Sequence, residues 1–125
     1  AKSYNFFRSN KDLANLCAQK YIAHFNKDDK TKHVIFSDIL NFSYMLPDNY
    51  IDFSVEYDFK NGMRFDSVRT KENIDIIFVN ENILKNPYLI KDSTWNNFLN
   101  NYSAFGFEKK VIYNECNIFL LQKVQ

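Results

Sequence analysis

Four polar residues directly follow the two most apolar segments of the sequence, and they are the residues best placed for chemistry. Ser37 and Asp38 follow one segment, and Asn80 and Glu81 follow the other. Open α/β sheets bind ligands at the carboxyl ends of their strands, so the four side chains predict a ligand crevice. There Asp38 and Glu81 could face each other as a general acid and a general base. The residue types favour a structural alternative, in which Asp38 caps a helix and Asn80 begins a turn.

The turn after the first of these segments argues against a nucleotide site. Dinucleotide and phosphate loops need several glycines between a strand and a helix. The turn at residues 36–40 contains none, and the whole chain has only Gly62 and Gly106. Asp38 would also repel a phosphate. We therefore expect no nucleotide, and the sequence predicts neither another cofactor nor a metal site.

The histidines and cysteines show no spacing that is typical of catalysis or metal binding. His24 and His33 have no Ser, Cys or carboxylate at a triad-like spacing, which favours structural roles. Cys17 and Cys116 lie in unrelated contexts. Two buried or half-buried thiols are the favoured interpretation, and a disulfide between them is the alternative.

Two further groups of side chains have both a functional and a structural interpretation. The acidic row Asp52, Glu56 and Asp58 could bind a cation, but a solvated strand face explains it as well. An aromatic group could stack on a sugar, but its spacing is more typical of core residues. That group is Trp95, Tyr102, Phe105 and Phe107.

Hydrophobic periodicity predicts the elements that would position these residues. Helices are expected over residues 9–26 and 39–45, and a third is expected from a cap at Ser93 or Thr94 to about Ala104. The first has an apolar stripe at Leu13, Leu16, Cys17, Tyr21 and Phe25. Strands are expected over residues 33–37, 51–59, 74–79, 108–113 and 117–123, with a turn at Asn61-Gly62. Residues 63–73 fit either a short strand with a loop or an irregular crossover.

The alternation of strands and helices predicts one α/β domain over residues 1–125. We expect three layers with a mainly parallel sheet of about five strands, closed by a C-terminal antiparallel hairpin, in a Rossmann-like topology without a nucleotide-binding loop. The regular alternation of residues 51–59 places that strand near a sheet edge with one wet face. Sixteen basic and fifteen acidic residues give a net charge of +1, so no nucleic-acid partner is expected.

The second half of the chain resembles the soluble C-terminal regions of polytopic membrane glycosyltransferases of the lipid-phosphate-sugar-dependent, protein O-mannosyltransferase-like superfamily. The shared pattern is an Asp-containing hydrophobic run, a variable loop, a helix with Trp, Phe and Leu, a Gly-Phe pair and a hairpin. The first helix, with the loop and strand after it, is also similar to these regions. The matching stretches are residues 74–80, 84–89, 92–99, 105–107 and 119–121.

The resemblance implies a role without chemistry for this domain itself. The superfamily's catalytic acidic residues lie in loops of the membrane part, so none is assigned here. The domain would be a fragment of a larger membrane protein, on the extracytoplasmic (periplasmic) side. Its partners would be the membrane-embedded part of the parent chain and a glycan or protein acceptor.

Two alternatives come from other functional classes. The terminal strand, helix and antiparallel hairpin also look like the last third of a methyltransferase-type sheet, although that family needs a glycine-rich loop after its first strand. A free protein-interaction module, with the alternating strand at residues 51–59 as its binding edge, is the third interpretation.

Overall fold

The computed structural model of the chain describes residues 10–23, 30–38, 44, 46–54, 59, 61–111 and 118–124. These residues form an α/β fold with five strands. In chain order the elements are α1 (Asn10–Ile22), β1 (His33–Ser37), β2 (Tyr50–Ser54), α2 (Phe65–Lys71), β3 (Ile76–Val79), α3 (Glu81–Leu84), α4 (Pro87–Ile90), α5 (Ser93–Asn100), a 3₁₀ helix (Tyr102–Phe105), β4 (Phe107–Lys110) and β5 (Phe119–Lys123).

The five strands form one open mixed sheet in the order β2-β1-β3-β5-β4. β1 runs parallel to both β2 and β3, whereas β5 runs antiparallel to β3 and β4. The predicted edge position of the alternating strand is confirmed for β2, and β3 is the central strand of the five. The last strand in the chain, β5, lies between β3 and β4. The predicted antiparallel pair of C-terminal strands is therefore present, and β4 forms the second edge of the sheet.

Buried side chains form two hydrophobic clusters, and β3 contributes to both. Ile76 and Phe78 belong to the cluster that contains α1, and Ile77 and Val79 belong to the one that contains α2 and α5. Successive strand residues point to opposite faces of a sheet, so each face of β3 is packed against helical residues. All four residues of β3 are buried, which is why its sequence is continuously apolar.

The described side chains of helix α1 that are buried differ in part from the predicted apolar stripe. Cys17 and Tyr21 are buried as expected, and the Tyr21 hydroxyl donates a hydrogen bond to the carbonyl oxygen of Ile118. Leu16 is 45% exposed, so its predicted place in the apolar stripe is wrong. Phe25, also assigned to that stripe, lies outside the described residues.

Helix α2 replaces the strand or irregular crossover that was predicted for residues 63–73. Phe65 and Val68 are its buried residues. Its N-cap residue, Arg64, makes no side-chain cap hydrogen bond. Instead, the Phe65 backbone N–H donates to Asp92 Oδ2 at 2.6 Å. The capping group comes from 27 residues away in the chain, so the local sequence gives no start signal for this helix.

Asp92 also caps α5, which corrects the predicted cap at Ser93 or Thr94. Its Oδ1 accepts hydrogen bonds from the Thr94 backbone N–H at 2.9 Å and from the Thr94 hydroxyl at 2.6 Å. Burial raises the pKa of Asp92, but the hydrogen bonds from Thr94, Phe65 and Trp95 outweigh it and leave the pKa below its usual value. One carboxylate therefore fixes two helices that pack on the same cluster.

Left-handed backbone conformations occur at both glycines. Gly106 has φ +81° directly after the 3₁₀ helix, where a left-handed residue ends the helical segment. Gly62 has φ +84° in the turn that the Asn61-Gly62 pair predicts. Both glycines therefore lie at positions where the backbone changes direction.

Some predictions fall outside the described residues. They concern most of the helix at residues 39–45, the part of the alternating strand at residues 55–58, and the hairpin turn at residues 112–117. In the part of the chain that the structure describes, no helix has the length and apolar character needed to cross a membrane.

Candidate functional site

The sheet brings the four predicted crevice residues to one end. β1 pairs in parallel with β3, so their carboxyl ends lie side by side. The chain leaves β1 for β2 on one side and returns to β3 on the other, which makes the gap between β1 and β3 a topological switch point. Open α/β sheets commonly bind their ligands at such a point. Ser37 and Asp38 border it from β1, and Asn80 and Glu81 border it from β3.

Ser37 contacts a carboxylate on the neighbouring strand. Asp52 lies opposite Ile35 in the parallel register of β1 and β2, and Ser37 is two residues further along on the same face. The Ser37 hydroxyl donates a hydrogen bond to Asp52 Oδ1 at 2.6 Å. Ser37 is only 2% exposed, so its hydroxyl is a fixed part of the strand end.

The surroundings of Asp52 favour its protonated form. Burial raises the pKa of Asp52 to about 6, the hydrogen bond from Ser37 opposes the rise, and the negative charge of Asp38 adds to it. A carboxyl group with such a pKa changes its protonation state near neutral pH. That property suits proton transfer, and it also suits hydrogen bonding to a ligand as donor or acceptor.

Asn80 and Glu81 serve helix α3. The Asn80 Oδ1 accepts from the Ile83 backbone N–H at 2.9 Å, so Asn80 is the N-cap, and its side chain is buried. Glu81 begins the helix with an exposed side chain and pairs with Lys85, its Oε1 lying 2.5 Å from Nζ. The hydrogen bond and charge of Lys85 lower the pKa of Glu81. The turn interpretation of Asn80 thus agrees with its contacts.

Asp38 and Asp52 interact electrostatically, because the negative charge of Asp38 raises the pKa of Asp52. The sequence suggested a pairing of Asp38 with Glu81. Asp52 was assigned to a wet strand face, but it is only partly exposed. Glu56 and Asp58, its companions in that row, lie outside the described residues. Among the residues that the structure describes, no group of three or more His, Cys, Asp or Glu side chains is arranged to hold a metal ion.

A second polar cluster occupies the opposite, amino end of the same strands. His33 Nδ1 lies 2.5 Å from Asp75 Oδ2, and His33 stacks on Tyr50 with ring centroids 4.8 Å apart. Asp75 Oδ1 also accepts from the Val34 backbone N–H at 2.7 Å. Sequence spacing missed this pair because 42 residues separate its members. One feature of the sequence could have indicated the pair: each residue lies at the amino end of a buried parallel strand.

The aromatic residues mostly build the core. Trp95 and Phe107 are each 2% exposed, so the favoured core interpretation is confirmed for these two rings and the sugar-stacking alternative is wrong for them. Phe105 is half-buried, and the Arg69 guanidinium carbon lies 4.9 Å from its ring centroid. The Arg69 Nε is buried without a conventional hydrogen-bond partner. The same guanidinium donates from Nη2 to Asp66 Oδ1 at 2.7 Å, so an ion pair and a cation–π contact both hold it.

Cys17 is disulfide-bonded. The favoured interpretation of two thiols is therefore wrong for this residue. The sequence has one other cysteine, Cys116, which lies outside the described residues.

Comparison with known proteins adds no relative to this geometry. No protein-family model, no curated protein and no solved structure matches the chain. The two strand ends, the core and the disulfide at Cys17 are the features of the molecule that bear on its function.

Proposed function

We propose that this chain is a non-catalytic, extracytoplasmic domain of a membrane-bound glycosyltransferase that transfers sugar from a lipid-phosphate donor. Within that enzyme it positions an acceptor or stabilises the assembly. The resemblance to the protein O-mannosyltransferase-like superfamily supplies the class. The order β3, α5, Gly106 and a closing antiparallel pair agrees with the sequence pattern behind that resemblance.

We further propose a three-layer, Rossmann-like architecture for the domain. Helical residues join both hydrophobic clusters of the sheet, and parallel strands meet at a switch point between β1 and β3. Ser37 ends β1, and Asn80 follows β3 and caps α3, at strand ends where a cofactor-binding α/β enzyme uses glycine. Both side chains are buried and hydrogen-bonded within the protein, which suits a scaffold that recognises an acceptor.

The observation that carries the positioning role is the contact between Ser37 and Asp52, which joins β2 to the strand that borders the switch point. A partly buried carboxyl with a pKa of about 6 can donate to, or accept from, the hydroxyl of a glycan or the amide of a peptide. Asp38, directly after β1, adds a second acceptor to the same strand end. The crevice is thus suited to neutral acceptors rich in hydrogen-bond donors.

The disulfide at Cys17 supports the extracytoplasmic side. Disulfides form and persist in oxidising compartments and are rare in the cytosol. This support does not depend on the crevice.

The proposal is tested with membranes that contain the full-length gene product. Transfer of labelled sugar from a lipid-phosphate donor is measured against acceptor concentration for the natural sequence and for Ser37→Ala and Asp52→Asn. A positioning role predicts a KM for the acceptor raised roughly 3- to 30-fold, as expected for losing one or two hydrogen bonds. The kcat should change less. Glu108→Gln, on the exposed part of β4, is the matched control.

Three results would overturn the proposal. The first is a parent gene without membrane spans. The second is sugar transfer by the isolated domain, and the third is an unchanged acceptor KM in both crevice variants.

A degenerate methyltransferase-like domain is the second candidate, favoured by the antiparallel insertion of β5 at the end of the sheet. Its methyl donor would have to bind after β1, where Ser37 and Asp38 replace a glycine-rich loop. Titration calorimetry with S-adenosylmethionine distinguishes the two candidates. Saturable binding would favour the methyltransferase, and no heat at millimolar ligand would remove it.

A further inference from the structure

The segment that follows β3 consists of two successive units with the same pattern. Residues 80–85 read Asn-Glu-Asn-Ile-Leu-Lys, and residues 86–91 read Asn-Pro-Tyr-Leu-Ile-Lys. In each unit an asparagine side chain caps a short helix, a buried aliphatic residue follows, and an exposed aliphatic residue and an exposed lysine end the unit. The buried residues of the two units, Ile83 and Leu89, belong to one hydrophobic cluster. Both units therefore lie on the same face of the sheet.

The exposed residues of the two units form a surface that we call the α3–α4 patch. Its six members are Leu84, Lys85, Pro87, Tyr88, Ile90 and Lys91. Leu84, Tyr88 and Ile90 are between 41% and 54% exposed, although a buried residue adjoins each of them in the chain. Leu84 and Ile90 hold the same position in their units, so the exposed aliphatic side chain recurs with the pattern. Exposed apolar side chains that cluster in this way mark an interaction site.

We propose that the α3–α4 patch docks the chain on the surface of an anionic phospholipid membrane. Leu84 and Ile90 enter the boundary of the acyl chains, and Tyr88 lies among the headgroups, where amphipathic rings are enriched. A lysine buries its aliphatic stem along apolar surface and keeps its ammonium group in the polar layer. Lys85 and Lys91 therefore bind lipid phosphates beside the inserted side chains.

The charges of the patch favour an anionic surface. Lys91 forms no ion pair within the part of the chain that the structure describes, and Lys85 pairs with Glu81 at 2.5 Å. The carboxylate of Asp92, next in the chain, is taken up by the backbone N–H groups of the helices it caps. An anionic bilayer attracts each basic residue close to it. The patch thus presents a net positive charge to such a bilayer.

A protein partner fits the patch less well than a bilayer. Protein–protein interfaces are depleted in lysine, and two of the six exposed residues of the patch are lysines. A stable interface also takes roughly 20–30 residues from each partner, far more than the patch supplies. A bilayer has no fixed shape to match, so a few inserted side chains suffice.

Docking goes beyond the acceptor-positioning proposal and stands if that proposal fails, because it depends on no other part of an enzyme. Helix α3 begins directly after the carboxyl end of β3. Docking would therefore hold that end of the sheet close to the membrane.

Vesicle sedimentation tests the docking with the 125-residue chain. The vesicles contain phosphatidylcholine and phosphatidylglycerol in equal parts, and the bound fraction gives a partition coefficient. Leu84→Ser/Ile90→Ser should lower this coefficient roughly 10- to 100-fold, because two aliphatic side chains no longer leave water. Val111→Ser/Val124→Ser is the matched control, since it removes two exposed aliphatic side chains outside the patch. The control should keep the natural coefficient.

A second variant tests the role of the lysines. Lys85→Gln/Lys91→Gln should lower the partition coefficient roughly 5- to 30-fold on the anionic vesicles, because each lysine loses its attraction to the phosphates. On vesicles of phosphatidylcholine alone the same variant should behave like the natural sequence. Thermal unfolding of every variant should give the natural Tm, since the replaced side chains are exposed.

Three results would overturn the docking. One is a natural chain that stays in the supernatant with the anionic vesicles. Another is an equal loss of binding in the patch variant and in the valine control. The third is self-association that Leu84→Ser/Ile90→Ser abolishes while vesicle binding is absent, which would assign the patch to a second copy of the chain.

Discussion

The two ends of the parallel strands differ in the partners of their acidic side chains. At the amino end, His33 Nδ1 lies 2.5 Å from Asp75 Oδ2, and Asp75 Oδ1 also accepts a hydrogen bond from a backbone N–H. At the carboxyl end, Asp38 and Asp52 are both acidic, and the pKa of Asp52 is raised to about 6. Complementary partners stabilise a fold, whereas buried like charges reduce stability and mark functional sites. The comparison assigns the amino end to stability and the carboxyl end to recognition.

Removal of Asp75 should have the largest effect on this comparison. Asp75→Ala takes away the partner of His33 and the acceptor of the Val34 N–H. We expect the free energy of unfolding to fall by about 2–4 kcal/mol, because buried groups lose charged partners. Urea unfolding measures the change. A loss below about 1 kcal/mol would break the assignment of the amino end to stability.

Removal of His33 should cost less. His33→Ala removes the ring that stacks on Tyr50 and leaves Asp75 with its backbone partner. We expect a loss of about 1–3 kcal/mol, from one hydrogen bond to a charged group and from packing. Unfolding of the double variant His33→Ala/Asp75→Ala completes a cycle. Additive losses would show that the two side chains are not coupled.

Replacement of Asp52 should act in the opposite direction. The pKa of Asp52 is raised to about 6 in the folded protein from its ordinary value of 3.8, so between these pH values the folded state holds a proton that the unfolded chain has lost. Stability therefore decreases as the pH rises from about 4 to about 6 and remains lower above it.

We expect Asp52→Asn to raise the free energy of unfolding by about 1–2 kcal/mol at pH 8, a figure reduced from the full shift because the residue is partly solvated. At pH 4 the variant and the natural sequence should be nearly equal. Urea unfolding at both pH values provides the measurement. A destabilised variant at pH 8 would contradict the assignment of the carboxyl end.

The smallest effect is expected at Glu81. Its side chain is exposed and pairs with Lys85 on the surface of α3. We expect Glu81→Gln to change the free energy of unfolding by less than about 0.5 kcal/mol, as is typical of surface pairs. A larger change in the free energy of unfolding, measured by thermal unfolding, would indicate that Glu81 lies in the crevice and belongs to the recognition site.

The sequence predicts much of the sheet because its signals there are local. The apolar run at β3 and the strands at β1 and β2 are present in the structure. The predicted wet face of β2 is wrong for two residues, because Ile51 is 44% exposed and Asp52 is only partly exposed. Helix α2 was missed because Asp92 caps it from a distant part of the chain. The chain around Phe65 therefore carries no start signal of its own.

The two polar clusters were harder to predict for the same physical reason. Asp52 meets Ser37 only through the parallel register of β1 and β2, and Asp75 meets His33 only when β1 and β3 pair. Ser37, Asp38, Asn80 and Glu81 could be placed at strand ends from the sequence. The order of the strands in the sheet decides which carboxylates lie close enough to interact. Spacing along the chain does not give that order.

Acceptor dependence of sugar transfer tests the central claim most directly. Membranes that carry the full-length gene product are compared with membranes that carry its Asp52→Asn form, with a labelled lipid-phosphate sugar as donor. Our account predicts a KM for the acceptor raised roughly 3- to 30-fold with a smaller change in kcat. An equal KM, with the variant folded and at least as stable as the natural sequence, would contradict a recognition role for the carboxyl end.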